Sequence, residues 1–161
     1  MNSSAFSLLE LLIVIAICSI LATIGLASWR DLQDRNELSV VTLGVLQFLN
    51  EVKLVANHYN HNQSVYFVKK SHQEWCIVAS EADLSASDCE YRLRFVVQNK
   101  HVELTGLSTN AQLIFYGRRN TAKAVTIKLK NRVGESRIII SVPGRIRYCS
   151  YQTYLSGFTP C

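Results

Sequence analysis

The stretch Ala5-Phe-Ser-Leu-Leu-Glu10-Leu-Leu-Ile-Val-Ile-Ala-Ile-Cys-Ser-Ile-Leu-Ala-Thr-Ile-Gly-Leu-Ala-Ser-Trp29 carries a single ionisable carboxylate, Glu10, in an otherwise apolar run. As a helix rising ~1.5 Å per residue, Phe6 to Ser28 measures about 34 Å, enough to cross a hydrocarbon core of roughly 30 Å with some tilt. A carboxylate in lipid costs roughly 2.5 to 3.5 kcal/mol on insertion scales, so Glu10 needs a reason. Met1 to Ala5 contains no Lys or Arg. It therefore lacks the positive n-region of a cleavable secretory signal and gives the positive-inside rule nothing to act on. The rest of the chain, about 130 residues, is the size of one small domain. No low-complexity linker or internal repeat divides it.

The helix should continue beyond the apolar span. From Arg30 to His58 there is no Pro, and Leu38, Val41, Val45, Phe48, Val52, Val55 and Tyr59 recur at spacings of three and four. That is one face of an amphipathic helix, built to pack on a sheet. Asp31, Asp34, Arg35, Glu37, Gln47 and Glu51 populate the other side, as on a solvated face. Gly44 weakens the helix by about 1 kcal/mol relative to Ala and marks either close packing or a bend.

After Asn62 the apolar period drops to two. Strands are expected at residues 65–69, 74–79, 91–97, 102–105, 112–116, 124–130 and 137–142, each bounded by polar or Gly residues. Asn131-Arg-Val-Gly134 joins two alternating runs as a hairpin; in the first, Val125, Ile127 and Leu129 share one face while Thr126, Lys128 and Lys130 share the other. The expected class is α+β, a long N-terminal helix packed on antiparallel sheets.

Five cysteines bear on the compartment. Cys18 lies in the apolar span and reads as a buried free thiol. The other four allow three connectivities. The local one, Cys76 with Cys89 and Cys149 with Cys161, is expected because each pair brackets a polar, turn-rich stretch. Such bridges persist outside the cytosol and favour export of everything after Trp29. There is no Cys-x-x-Cys, and His58, His61, His72 and His101 show no ligand spacing, so no metal is expected.

Charge is uneven. Residues 117–161 hold Arg118, Arg119, Lys123, Lys128, Lys130, Arg132, Arg137, Arg145 and Arg147 against Glu135 alone, within a formal net charge of +5. A basic half of an exported domain either keeps the protein soluble or meets a polyanion. Gly144-Arg145-Ile146-Arg147 follows Pro143 and precedes Cys149. In an extended strand the two Arg side chains point the same way about 6.8 Å apart, comparable to successive backbone phosphates, and Arg presents a planar donor fork to phosphate oxygens. Tyr148, Tyr151 and Tyr154 lie beside them and could stack on single-stranded bases.

The string Ala5-Phe6-Ser7-Leu8-Leu9-Glu10 before an apolar helix resembles the class III leader of type IV pilins and type II secretion pseudopilins. In that family an inner-membrane prepilin peptidase cuts after a small residue, usually Gly, and methylates the new N-terminal residue, usually Phe; a Glu stands at the fifth mature position. The resemblance implies a leader at residues 1–5, cleavage between Ala5 and Phe6, methylation of Phe6, a membrane half at 6–29 and a soluble pilin domain, amphipathic helix included, at 30–161. It also implies that Glu10 meets the N-terminal amine of a neighbouring subunit, so that two groups costly in lipid neutralise one another. Ala5 stands where the family usually has Gly, and the leader lacks the usual basic residues.

Phe115 to Ala122, the hairpin, and Val142-Pro-Gly-Arg-Ile-Arg-Tyr-Cys149 are similar to the FimT-like minor pilins and H-type pseudopilins. Some FimT-type proteins bind DNA through a Gly-Arg-x-Arg motif, which maps onto Gly144, Arg145 and Arg147, with Arg118, Arg119, Lys128 and Lys130 as further candidates. The resemblance implies a minor pilin of the bacterial inner membrane with a periplasmic domain. Its expected partners are other minor pilins, the major pilin, prepilin peptidase and, at the filament tip, double-stranded DNA. The alternative is an H-type pseudopilin of a secretion system without DNA binding. With no nucleophile elbow, phosphate loop or metal-ligand helix in the sequence, neither catalysis nor a cofactor is expected.

Overall fold

A computed structural model describes residues 8–70, 74–81, 88–97, 101–107 and 112–161. The expected leader, with Ala5 and Phe6, lies outside the described residues, as does His72. The contacts divide the chain into two units, one ending at Gln33 and the other running from Asp34 to Cys161.

One continuous helix, α1, spans Leu8–Tyr59. It is long and apolar enough to cross a membrane, and none of its apolar window is buried. Cys18 is a free thiol, exposed in the single chain rather than buried, like its described neighbours along the apolar stretch of the helix. The helix ends where Asn60 takes a left-handed conformation at φ 56°. Asn tolerates this better than most residues, which makes it a common helix stop.

In the second unit the helix buries Leu38, Val41, Val45, Phe48, Leu49, Val52 and Ala56. The expected stripe holds through Val52 and then drifts: Val55 is only half-buried and Tyr59 is exposed, while Leu49 and Ala56 take core positions. A 3.6-residue period does not keep step with a fixed three-and-four count. Asp34, Arg35 and Glu37 are half-buried, not solvated. Their side of the helix meets the hairpin and the C-terminal segment: Asp34 pairs with Arg132 at 2.8 Å, and Arg35 donates to the Tyr154 carbonyl at 2.6 Å. Gly44 marks close packing, since a Cβ there would stand 2.9 Å from the Phe95 ring.

The strands are β1 (Gln63–Lys69), β2 (Trp75–Ser80), β3 (Leu93–Val96), β4 (Glu103–Leu107), β5 (Leu113–Tyr116), β6 (Thr121–Ala122), β7 (Val125–Asn131), β8 (Gly134–Ile140) and β9 (Ile146–Tyr151). They form two antiparallel sheets among the described residues, ordered β3-β2-β1-β5-β6 and β4-β7-β8-β9. Seven strands fall where the period-two reading expects them. β8 starts three residues earlier than expected because Asn131 pairs with Gly134 across a two-residue turn, which the Val133 N–H closes on Asn131 Oδ1 at 3.1 Å. Side chains of the helix and both sheets share one core, with Trp75, Ile77, Leu113 and Phe115 from the first sheet and Ile127, Leu129, Ile138 and Ile140 from the second.

Two bridges close local loops: Cys76 bonds Cys89, and Cys149 bonds Cys161. The second holds the chain end against β9, where the Ser150 N–H donates to the Thr159 carbonyl and the Cys161 N–H to the Ser150 carbonyl.

Candidate functional site

Glu10 sits in the first turn of α1 with its side chain exposed. Phe6, the residue that would supply the amine partner, lies outside the described residues.

The basic motif is built on a reversal of the chain between β8 and β9. The Gly144 N–H donates to the Ser141 carbonyl at 2.8 Å, and Gly144 adopts φ +71°, a conformation in which a Cβ is strained. Its backbone is buried, so Arg145 starts the exit strand from a fixed position. In β9, Ile146 and Tyr148 turn toward the core while Arg147, like Arg145 just before the strand, is exposed, as strand alternation requires. Ile139 faces Arg147 across the β8–β9 pair.

Arg118 and Arg119 belong to a 3-10 turn, Gly117–Arg119, at the tip between β5 and β6. Both are exposed, and the turn ends on Asn120 in a left-handed conformation. This tip lies against the Gly144 turn: the Ala122 N–H donates to the Val142 carbonyl at 2.9 Å, and a Cβ at Gly144 would stand 3.0 Å from the Asn120 carbonyl oxygen. Two segments distant in sequence therefore bring Arg118, Arg119 and Arg145 to one end of the domain.

Lys128 and Lys130 are placed differently. Both lie on the outer face of the second sheet, where Lys128 faces Arg137 and Lys130 faces Glu103 on one side and Glu135 on the other. Lys130 thus sits between two carboxylates in the cross-strand register, at the hairpin end of β7. Arg137 is also engaged. It donates to Glu135 at 2.6 Å and lies 3.6 Å over the Tyr151 ring. The hydrogen bond to Glu135 holds its guanidinium above the ordinary pKa, with smaller support from Tyr151.

The expected tyrosine platform is not assembled. Tyr148 is half-buried with its ring edge-on to Phe158 at 4.8 Å, Tyr151 lies under Arg137, and only Tyr154 is widely exposed. Strand alternation explains this, because Tyr148 falls on the core parity of β9.

Residues 1–26 match the family model for the prokaryotic N-terminal methylation motif. Comparisons with curated proteins and with solved structures give no match. The methylation motif, overlapping the start of one long helix whose second half packs on antiparallel sheets, gives the chain an arrangement similar to that of type IV pilins.

Proposed function

We propose that the protein is a minor pilin of a type IV pilus system, cut between Ala5 and Phe6 and methylated on Phe6 by prepilin peptidase. The observation that carries this reading is the methylation motif at residues 1–26, which runs into the first turns of a helix that is apolar first and core-forming second. Residues 6–29 anchor the chain in the inner membrane, and residues 30–161 form the domain on the periplasmic side. The two disulfides support that side, since such bridges persist in oxidising compartments. With Glu10 paired to a neighbour's new amine, the subunit joins other minor pilins to prime or cap a filament of the major pilin. At the tip, exposed Arg145 and Arg147 beside the fixed Gly144 turn contact double-stranded DNA for uptake. The test is the mass of the mature N-terminus in cells with and without prepilin peptidase. A chain beginning at methylated Phe6 only when the peptidase is present is expected; an uncut chain in both overturns the assignment.

A further inference from the structure

We propose that Lys53, on the helix, is a phosphate-contacting residue of the same surface as Arg145, and that the phosphates are those of double-stranded DNA. The inference rests on the reading of the Gly144-Arg145-Ile146-Arg147 segment as a DNA contact, and adds to it a residue from a part of the chain that no motif marks.

Lys53 is half-buried, and its side chain crosses the Gly144 turn. A Cβ at Gly144 would lie 3.4 Å from Lys53 Cε and 3.6 Å from Nζ. Glycine at this position therefore leaves bare backbone beneath the ammonium group, immediately before Arg145. The Asn120 carbonyl oxygen is at the same spot, 3.0 Å from that Cβ position. One helical turn beyond Lys53, Asn57 Nδ2 donates to Asn120 Oδ1 at 2.9 Å. The helix, the Arg118–Arg119 tip and the Arg145 turn thus meet around the Asn120–Gly144 contact, each contributing positive charge.

Among the described residues, none of Lys53, Arg118, Arg119 and Arg145 has an ion-pair partner, whereas Arg132 and Arg137 are held by Asp34 and Glu135 at 2.8 and 2.6 Å. The shallow grooves flanking the contact, one lined by Asn50, Lys53 and Asn57 and the other by Asn62, Arg118 and Arg119, include no carboxylate among the described residues. Unpaired like charges gathered by the fold attract an anion. A spread of four cations over three chain segments suits a rod carrying one charge per ~1.7 Å of axis better than a single phosphate. A lipid surface is the poorer match, because Lys53 lies about 28 Å along the helix from Asp34, where the domain begins, at ~1.5 Å per residue.

The experiment uses the full chain in neutral detergent and a fluorescent 30-base-pair duplex, with affinity followed over a salt series. Each phosphate contact contributes about 0.9 to the slope of log affinity against log salt. Lys53→Gln is expected to make the slope shallower by about 0.9 at every duplex sequence, and Lys53→Arg to restore it. Equal thermal midpoints for the three proteins exclude a folding effect; if Lys53→Gln shifts the midpoint, Lys53→Met at the same stem length supplies the comparison. An unchanged slope in Lys53→Gln, with binding lost in the Arg145→Gln, Arg147→Gln double variant, overturns the role of Lys53 and leaves the DNA reading standing. No duplex binding by the unsubstituted chain at low salt overturns the DNA reading itself. Displacement of the duplex by phosphatidylglycerol micelles at lower phosphate concentration than by unlabelled duplex assigns the surface to headgroups and overturns the proposal.

Discussion

Thr42 Oγ1 and Ser136 Oγ stand 2.6 Å apart in the core, joining the helix to the central strand β8 with both side chains fully buried. Thr42 also reaches the Leu38 carbonyl at 2.6 Å. With Thr42 donating there, Ser136 donates to Thr42, and every hydroxyl proton is used. Thr42→Val keeps the shape but strands the Ser136 hydroxyl, which costs about 1–3 kcal/mol when a buried polar group loses its partner. Thr42→Val with Ser136→Ala removes both polar groups and should recover part of that loss. Denaturant unfolding of the single and double variants measures it; strictly additive losses would show that the two hydroxyls are not coupled.

Two glycines give a paired prediction. A Cβ at Gly117 would overlap the Ala56 carbonyl oxygen and lie 2.7 Å from that of His61, both backbone atoms that cannot rotate away. Gly117→Ala must therefore push the β5–β6 tip off the helix end, at a cost of about 1–3 kcal/mol or more. At Gly106 a Cβ would meet none of the described residues within 4 Å, so Gly106→Ala should stay within about 0.5 kcal/mol of the parent. Thermal unfolding of the two variants side by side checks both, and similar losses would mean that the Ala56–Gly117 contact is not tight.

Much of this fold is legible from periodicity because the core is fed by regular elements. The Leu38-to-Val52 stripe and the Val125, Ile127, Leu129 alternation are local signals that survive folding unchanged. β6 escapes because two residues, Thr121 and Ala122, cannot display a period. β9 escapes as a full strand because Gly-Arg-Ile-Arg-Tyr-Cys alternates charge with moderately apolar groups, which draws attention to the arginines and away from the pairing. At the candidate site the same limit applies. Gly144, Arg145 and Arg147 form a contiguous string and can be read directly. Lys53 is one lysine on a polar helix face, and its place beside Gly144 depends on a contact across the fold. Lys130 looks equivalent to Lys128 in sequence, yet only the register reveals Glu103 and Glu135 on either side of it.

The Cys149–Cys161 bridge closes a short loop, and a bridge over such a loop is worth about 3 kcal/mol in the chain-entropy account. Cys161→Ser should lower stability by roughly that amount. Its local effect should be larger than its global one, because the Ser150 and Cys161 amides bond only within the segment that the bridge holds. Hydrogen exchange should accelerate at those two amides before it does in β7 and β8. Uniform acceleration across the second sheet would argue instead that the C-terminal segment is integral to the sheet's cooperativity.

Glu10 provides the test of assembly separate from anchoring. Replacing it with Gln removes a charge whose place in lipid costs roughly 2.5 to 3.5 kcal/mol, so the variant should insert at least as well as the parent. Cleavage before Phe6 should also persist, since the cut precedes the substituted position. On the proposed pairing, what the variant loses is the carboxylate that would neutralise a neighbour's N-terminal amine, leaving that ammonium unpaired among apolar helices. Even a loss of about 1.4 kcal/mol in subunit association lowers incorporation tenfold. The measurement is the ratio of this subunit in sheared filaments to that in the membrane fraction, for Glu10→Gln against the parent. A ratio reduced about tenfold or more, with the mature N-terminus unchanged, is the expected result. An unchanged ratio would mean that the amine finds its countercharge elsewhere and that Glu10 is not the assembly contact.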